Sequence, residues 1–144
     1  MQDKFKPHTL VDMATLTGAS IIALAHEYGA LMSNDDKLAD SIYKVGEETG
    51  DRFWRLPCGP ELDKYLKTEH ADLRNVSNAA GSRAGGTITA GRFLHNFVQK
   101  GVKWAHLDIA NVDMLGHDYD LGPAGPTCHG IRMLNAMIAQ HYED

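Results

Sequence analysis

Residues 9–24, TLVDMATLTGASIIAL, constrain the fold more than any other stretch of this chain. Thr9 to Leu16 carries the branched and apolar residues that suit a buried strand. Thr17-Gly18 breaks the run, and Ala19 to Ala25 is apolar and favours helix. Strand, tight turn and helix make half of a βαβ unit, and in open α/β sheets ligands bind at the carboxyl ends of the strands. Gly18 has no Cβ, so a ligand or another backbone can approach closely there. The same pattern also fits an ordinary strand-to-helix turn with no ligand.

The remaining punctuation repeats the theme. Tyr28-Gly29 closes the first helix, and Ala30 to Met32 reads as a short strand. Ser33 or Asn34 caps a second helix, with Asp35 and Asp36 in its first turn, Leu38, Ile42 and Val45 on its apolar face, and Gly50 at its end. Arg52 to Leu56 alternates like a half-exposed strand and stops at Pro57, and Pro60 opens a short helix through Leu66. A loop from Asn75 to Gly86 feeds a helix predicted over Thr87 to Lys100. Trp104 to Ala110 is another strand. An irregular loop, Asn111 to Pro126, leads to a last helix ending near Tyr142. Strands alternating with helices predict one α/β layer domain, residues 1–144, with a mainly parallel sheet.

Composition narrows the function classes. Of 144 residues, 43% are hydrophobic and 23% charged, the profile of a soluble globular protein. A net charge of -5, with no Lys/Arg block, argues against nucleic acid as a partner. No apolar run reaches the ~20 residues of a membrane span, and the polar N-terminus does not read as a signal peptide. Cys58 and Cys128 stand in no metal or redox spacing and read as free thiols, so the expected location is the cytoplasm.

Three places hold residues able to do chemistry. His106, Asp108, Asp113, His117, Asp118 and Asp120 form the richest polar cluster, and such side chains suit a divalent cation. Their spacing fits neither an EF-hand nor a zincin helix, so His106 and Asp108 read as a hydrogen-bonded structural pair and the loop acids as solvated. The glycine-rich run 81–86 with Arg83 could cradle a phosphate at a helix start, or be plain loop. Ser20 lacks a nucleophile elbow and reads as a helix-start residue. The residues alone show no complete catalytic set.

Several blocks, in order, resemble the leucyl (cytosol) aminopeptidases, a family of two-metal exopeptidases. Asp12-Met13-Ala14-Thr15-Leu16-Thr17-Gly18-Ala19 is similar to that family's DLATLTGA signature. Trp54-Arg55-Leu56-Pro57, Ala71-Asp72-Leu73-Arg74-Asn75, Gly85-Gly86-Thr87-Ile88-Thr89-Ala90 and Trp104-Ala105-His106-Leu107-Asp108-Ile109-Ala110 follow in the family's sequence. The resemblance implies a three-layer αβα fold, incomplete here and corresponding to the C-terminal portion of the catalytic domain. It implies release of N-terminal amino acids from peptides, two divalent ions (manganese or zinc) in the complete enzyme, and a homohexamer. The family's metal-ligand motif, N-T-D-A-E-G-R, does not occur in this sequence, so no metal is expected in this chain alone and the isolated chain is expected to be inactive.

What the resemblance leaves to these residues is substrate wall. It implies that Thr15 and Gly18 line the pocket for the peptide's first side chain, that the backbone at Leu16 and Gly18 bonds the peptide with Thr17 between them in the substrate-binding set, and that Ala110 forms the opposite wall, near Asp113. Asn111 departs from the family's glycine, Asp113 from a small or apolar residue, and 125–132 from G-A-T-G-x-G-V-R. Alternatives are a non-catalytic peptide-binding or assembly module, or a nucleotide-binding domain using the 81–86 loop. A strand at 9–16 with an open edge also predicts self-association.

Overall fold

Period-two alternation of side chains in β4 (Lys103–Asp108) decides how the layers form. Ala105 and Leu107 point to one face of the sheet and Trp104, His106 and Asp108 to the other. β4 lies between β1 (Thr9–Ala14) and β2 (Gly29–Ser33), and β3 (Phe53–Arg55) flanks β2, in the order β1-β4-β2-β3. β1 pairs with β4 in parallel, with Asp12 beside His106 and Ala14 beside Asp108. β2 and β3 are also parallel, whereas β2 runs antiparallel to β4. The computed structural model describes residues 1–78 and 84–143.

Helices cover both faces. On one, α3 (Asp36–Thr49) and α5 (Ile131–His141) pack Leu38, Ile42, Val45, Met133 and Met137 against Leu31, Phe53, Ala105 and Leu107. On the other, α2 (Ala19–Leu24) and α4 (Gly86–His95) bring Leu24 and Leu94 onto Ala30, Met32 and Trp104. Each large side chain buried this way contributes about 1.5–3 kcal/mol. The α4 backbone sits so close to β2 that a Cβ at Gly91 would lie 2.9 Å from the Met32 side chain. A short N-terminal helix, α1 (Gln2–Phe5), is tied by Gln2 to Phe97 and Gln99. The three-layer α/β architecture is the expected one.

Local chemistry accounts for the helix ends. Asp35 caps α3 by accepting the Leu38 N–H at 2.8 Å, and Gly50, at φ 77°, ends it in the left-handed region. α5 has no side-chain cap of its own; the fully buried Asp51, from the segment before β3, accepts the Met133 N–H at 3.2 Å and a bond from the Arg132 guanidinium.

Boundaries shift from expectation at several points, and α3 is capped by Asp35 rather than by Ser33 or Asn34. β1 ends at Ala14, so Thr15 and Leu16 belong to the turn, and β4 stops at Asp108. Gly29 does not stop a helix. It opens β2, where a Cβ would lie 2.5 Å from the Phe53 ring. α4 ends at His95, five residues early, and α5 starts only at Ile131. The 111–126 loop contains a two-residue pairing, β5 (Met114–Leu115) with β6 (Gly125–Pro126).

Candidate substrate-binding turn

Because β1 and β4 are parallel and in register, their carboxyl ends lie side by side, and the turn at 15–18 rises next to Asp108. Asp108 is fully buried. A buried carboxylate needs donors, and the turn supplies them. The Leu16 N–H donates to Oδ1 at 3.0 Å, and the Thr17 N–H donates to Oδ2 at 3.1 Å. The Thr17 hydroxyl donates to Oδ2 at 2.6 Å, and the Ala110 N–H donates to Oδ1 at 3.2 Å. Having given its proton to Asp108, the Thr17 hydroxyl accepts from the Thr87 hydroxyl of α4 at 2.8 Å. Ser20 is buried and closes the turn by donating to the Thr17 carbonyl at 2.7 Å, in keeping with a helix-start role.

The turn faces a cleft. A cavity of about 430 Å³ lies between Leu16, Thr17 and Gly18 on one side and Val76, Thr89 and Phe93 on the other. Nothing would obstruct a Cβ at Gly18 within 4 Å, so the backbone is open to an approaching group. Thr15 is exposed on the same turn without lining that cavity. Ala110 is joined to the turn through the shared Asp108 carboxylate. Asp113 is half-buried further along, its N–H donating to Ile109 and its carbonyl accepting from Thr127, and it does not line the cavity.

The polar cluster of the sequence comes apart in space. His106, fully buried, donates from Nδ1 to Asp12 at 2.5 Å, while the Trp104 indole donates to the other Asp12 oxygen at 2.6 Å. So His106 and Asp108 are both hydrogen-bonded structural residues, each with its own partner rather than with the other. Nε2 of His106 is buried without a hydrogen bond among the described residues. His117, Asp118 and Asp120 instead line a separate polar cavity of about 530 Å³ with Arg52, His129 and Arg132. Burial, opposed by Asp51, lowers the His129 pKa below the usual histidine range.

A divalent pair needs a converging set of free carboxylate or imidazole donors. Here both Asp12 oxygens and both Asp108 oxygens are already hydrogen-bonded, and no three His, Cys, Asp or Glu among the described residues could hold an ion. The described residues therefore do not fit the metals. Burial raises the Cys58 pKa to about 11, which disfavours its thiolate, and Cys128 is exposed. The first half of the 81–86 loop, Arg83 included, lies outside the described residues. No described helix is long and apolar enough to cross a membrane.

Sequence reasoning missed the roles of Asp108 and Asn111. The signal for the first is a carboxylate at the carboxyl end of a strand. Asn111, buried at the glycine position of the resemblance, donates from Nδ2 to the Ala25 carbonyl at 2.6 Å and the Tyr28 carbonyl at 2.8 Å. It anchors the α2–β2 connection, where Ala25 adopts φ 49°.

Comparison with known proteins places the chain and its fold in a family. The sequence pattern of the cytosol aminopeptidase family, catalytic domain, matches residues 1–135. A probable cytosol aminopeptidase of Xanthobacter autotrophicus is 45% identical over 142 residues, 99% of this chain and 28% of its own length. The cytosol aminopeptidase of Coxiella burnetii superposes with a TM-score of 0.84 at 37% identity, over 97% of this chain and 30% of that one. The bottromycin maturation enzyme BotP, in complex with Mn, gives 0.84 at 37%, over 92% and 29%. The chain thus spans little more than a quarter of the relatives it matches. With the family pattern covering residues 1–135 and identity of 45% over 99% of its length, this chain belongs to the cytosol aminopeptidase family and represents part of its catalytic domain.

Proposed function

We propose that residues 1–144, a single partial catalytic domain, supply the substrate wall of a dinuclear metal-dependent leucyl aminopeptidase that releases N-terminal amino acids from peptides. The observation that carries this reading is the open turn at 15–18, held on a buried carboxylate and facing a cleft. In it, Thr15 and Gly18 border the first side chain, the Leu16 carbonyl and the Gly18 backbone bond the peptide, Thr17 holds the turn with its N–H on Asp108 and its carbonyl on Ser20, and Ala110 with Asp113 closes the far side. A small-residue wall suits leucine-like groups, each buried CH₂ contributing about 0.8 kcal/mol. The two divalent ions, manganese or zinc, are held by protein beyond this chain, because Asp12 and Asp108 are engaged and no other three donors among the described residues converge. The whole enzyme is a cytoplasmic homohexamer in this reading.

The test replaces the matched 28% of the Xanthobacter relative with this chain. Manganese-dependent hydrolysis of leucine amide by the chimera is expected, with no turnover by the chain alone in manganese or zinc. A folded, inactive chimera would instead favour the second reading, a non-catalytic peptide-binding or assembly module, which the missing ligand set among the described residues also fits. Turnover by the chain alone would overturn the placement of the metals.

A further inference from the structure

We infer that Asp108 is a positioning residue that sets the separation of the two substrate walls. The inference rests on the reading above and deepens it. One fully buried carboxylate takes donors from both sides: Leu16 and Thr17 from the turn, Ala110 from the segment opposite. Oδ1 is shared, holding the Leu16 N–H at 3.0 Å and the Ala110 N–H at 3.2 Å. Two amides that converge on one oxygen cannot move apart without losing a bond. Oδ2 fixes the conformation of the turn itself through both donors of Thr17.

Three consequences follow from that geometry. With their N–H groups facing Asp108, Leu16 and Thr17 are held in one backbone conformation, and so is the turn that presents Gly18. The carboxylate bonds neutral donors only among the described residues, so it acts by direction and distance rather than by neutralising a cation. Thr87 extends the set to α4: its hydroxyl donates to Thr17, which couples the turn to the helix on the other side of the cleft. Asp108 touches no substrate in this scheme and works through the groups it holds.

Asp108→Asn tests this, because an amide puts a donor where one oxygen was and cannot satisfy all four bonds. In the full chain, amide hydrogen exchange at Leu16, Thr17 and Ala110 is expected to speed up about tenfold or more relative to core amides such as Leu31 and Leu107. Thr17→Val is expected to loosen the turn but not Ala110, and Thr17→Ser to restore wild-type exchange. A uniform rise at all amides, or none, would overturn the inference, since a purely structural role destabilises everything together. In the active chimera, Asp108→Asn is expected to lower the preference for leucine amide over alanine amide about tenfold, mainly through KM. Unchanged preference in an active chimera would sink the positioning role and leave the function standing, whereas an inactive unsubstituted chimera would sink the function and leave the exchange result to decide the positioning role.

Discussion

Two buried carboxylates, on opposite faces of the sheet, are satisfied in different ways. Asp51, under α5, meets the Arg132 guanidinium and one backbone N–H at the start of that helix. Asp108, under α2 and α4, meets three backbone N–H groups and one hydroxyl. Charge against charge tolerates displacement, because attraction falls off slowly with distance. Hydrogen bonds from backbone donors are directional and weaken steeply with angle. The first arrangement secures a helix; the second dictates the path of a loop. The second lies beside the cleft at Gly18, whereas the Arg132 partner of the first lines the separate polar cavity.

The comparison breaks most directly at Asp108. Asp108→Ala strands four donors, and a loss of about 3–5 kcal/mol in denaturant unfolding is expected. Asp51→Ala removes a cap and an ion-pair partner but leaves a guanidinium that reaches solvent, so about 2–3 kcal/mol is expected from the same measurement. If Asp51→Ala proved the costlier change, the distinction drawn here would fail. Asn111→Ala, which frees two buried carbonyls at Ala25 and Tyr28, is expected to cost about 2 kcal/mol.

Acidity gives the smallest effect and sharpens the Asp51 side. Burial lowers the pKa of His129, and burial with Arg92 lowers that of His95. The unfolded chain then binds protons more readily than the folded one. Stability from these groups is therefore complete above the ordinary histidine pKa and is lost as pH falls through it. Tm is expected to drop between about pH 7.5 and about pH 5.5, and His129→Gln to flatten the drop. A slope unaltered by that change would remove His129 from the account.

Much of the fold was legible because local signals agreed with tertiary demand. Gly50 ends α3 as read, and Leu38, Ile42 and Val45 mark its buried face, while the cap falls to Asp35 rather than Ser33 or Asn34 because the Asp35 side chain is the one that reaches the Leu38 N–H. Gly29 is ambiguous in sequence because a helix-stop glycine and a glycine packed under an aromatic ring look alike; only the Phe53 ring distinguishes them. At the site, the turn was visible from its residue types, but Asp108 lies 91 and 92 positions from its partners Thr17 and Leu16, beyond any local pattern. Asn111 was noted only as a departure, since its carbonyl partners carry no side-chain signature.

β1 occupies one margin of the sheet among the described residues, and its register with β4 determines which peptide groups are spare. Carbonyls of His8 and Ala14 are taken by Lys103 and Ile109, so even-numbered residues face β4 and Thr9, Val11 and Met13 turn their amides and carbonyls outward. Residues 9–14 include no proline or lysine to discourage a newcomer. Two copies are expected to zip together along this seam as concentration rises, seen as a growing sedimentation coefficient. Val11→Pro removes one outward amide and leaves the β4 ladder whole, and should return the chain to single molecules.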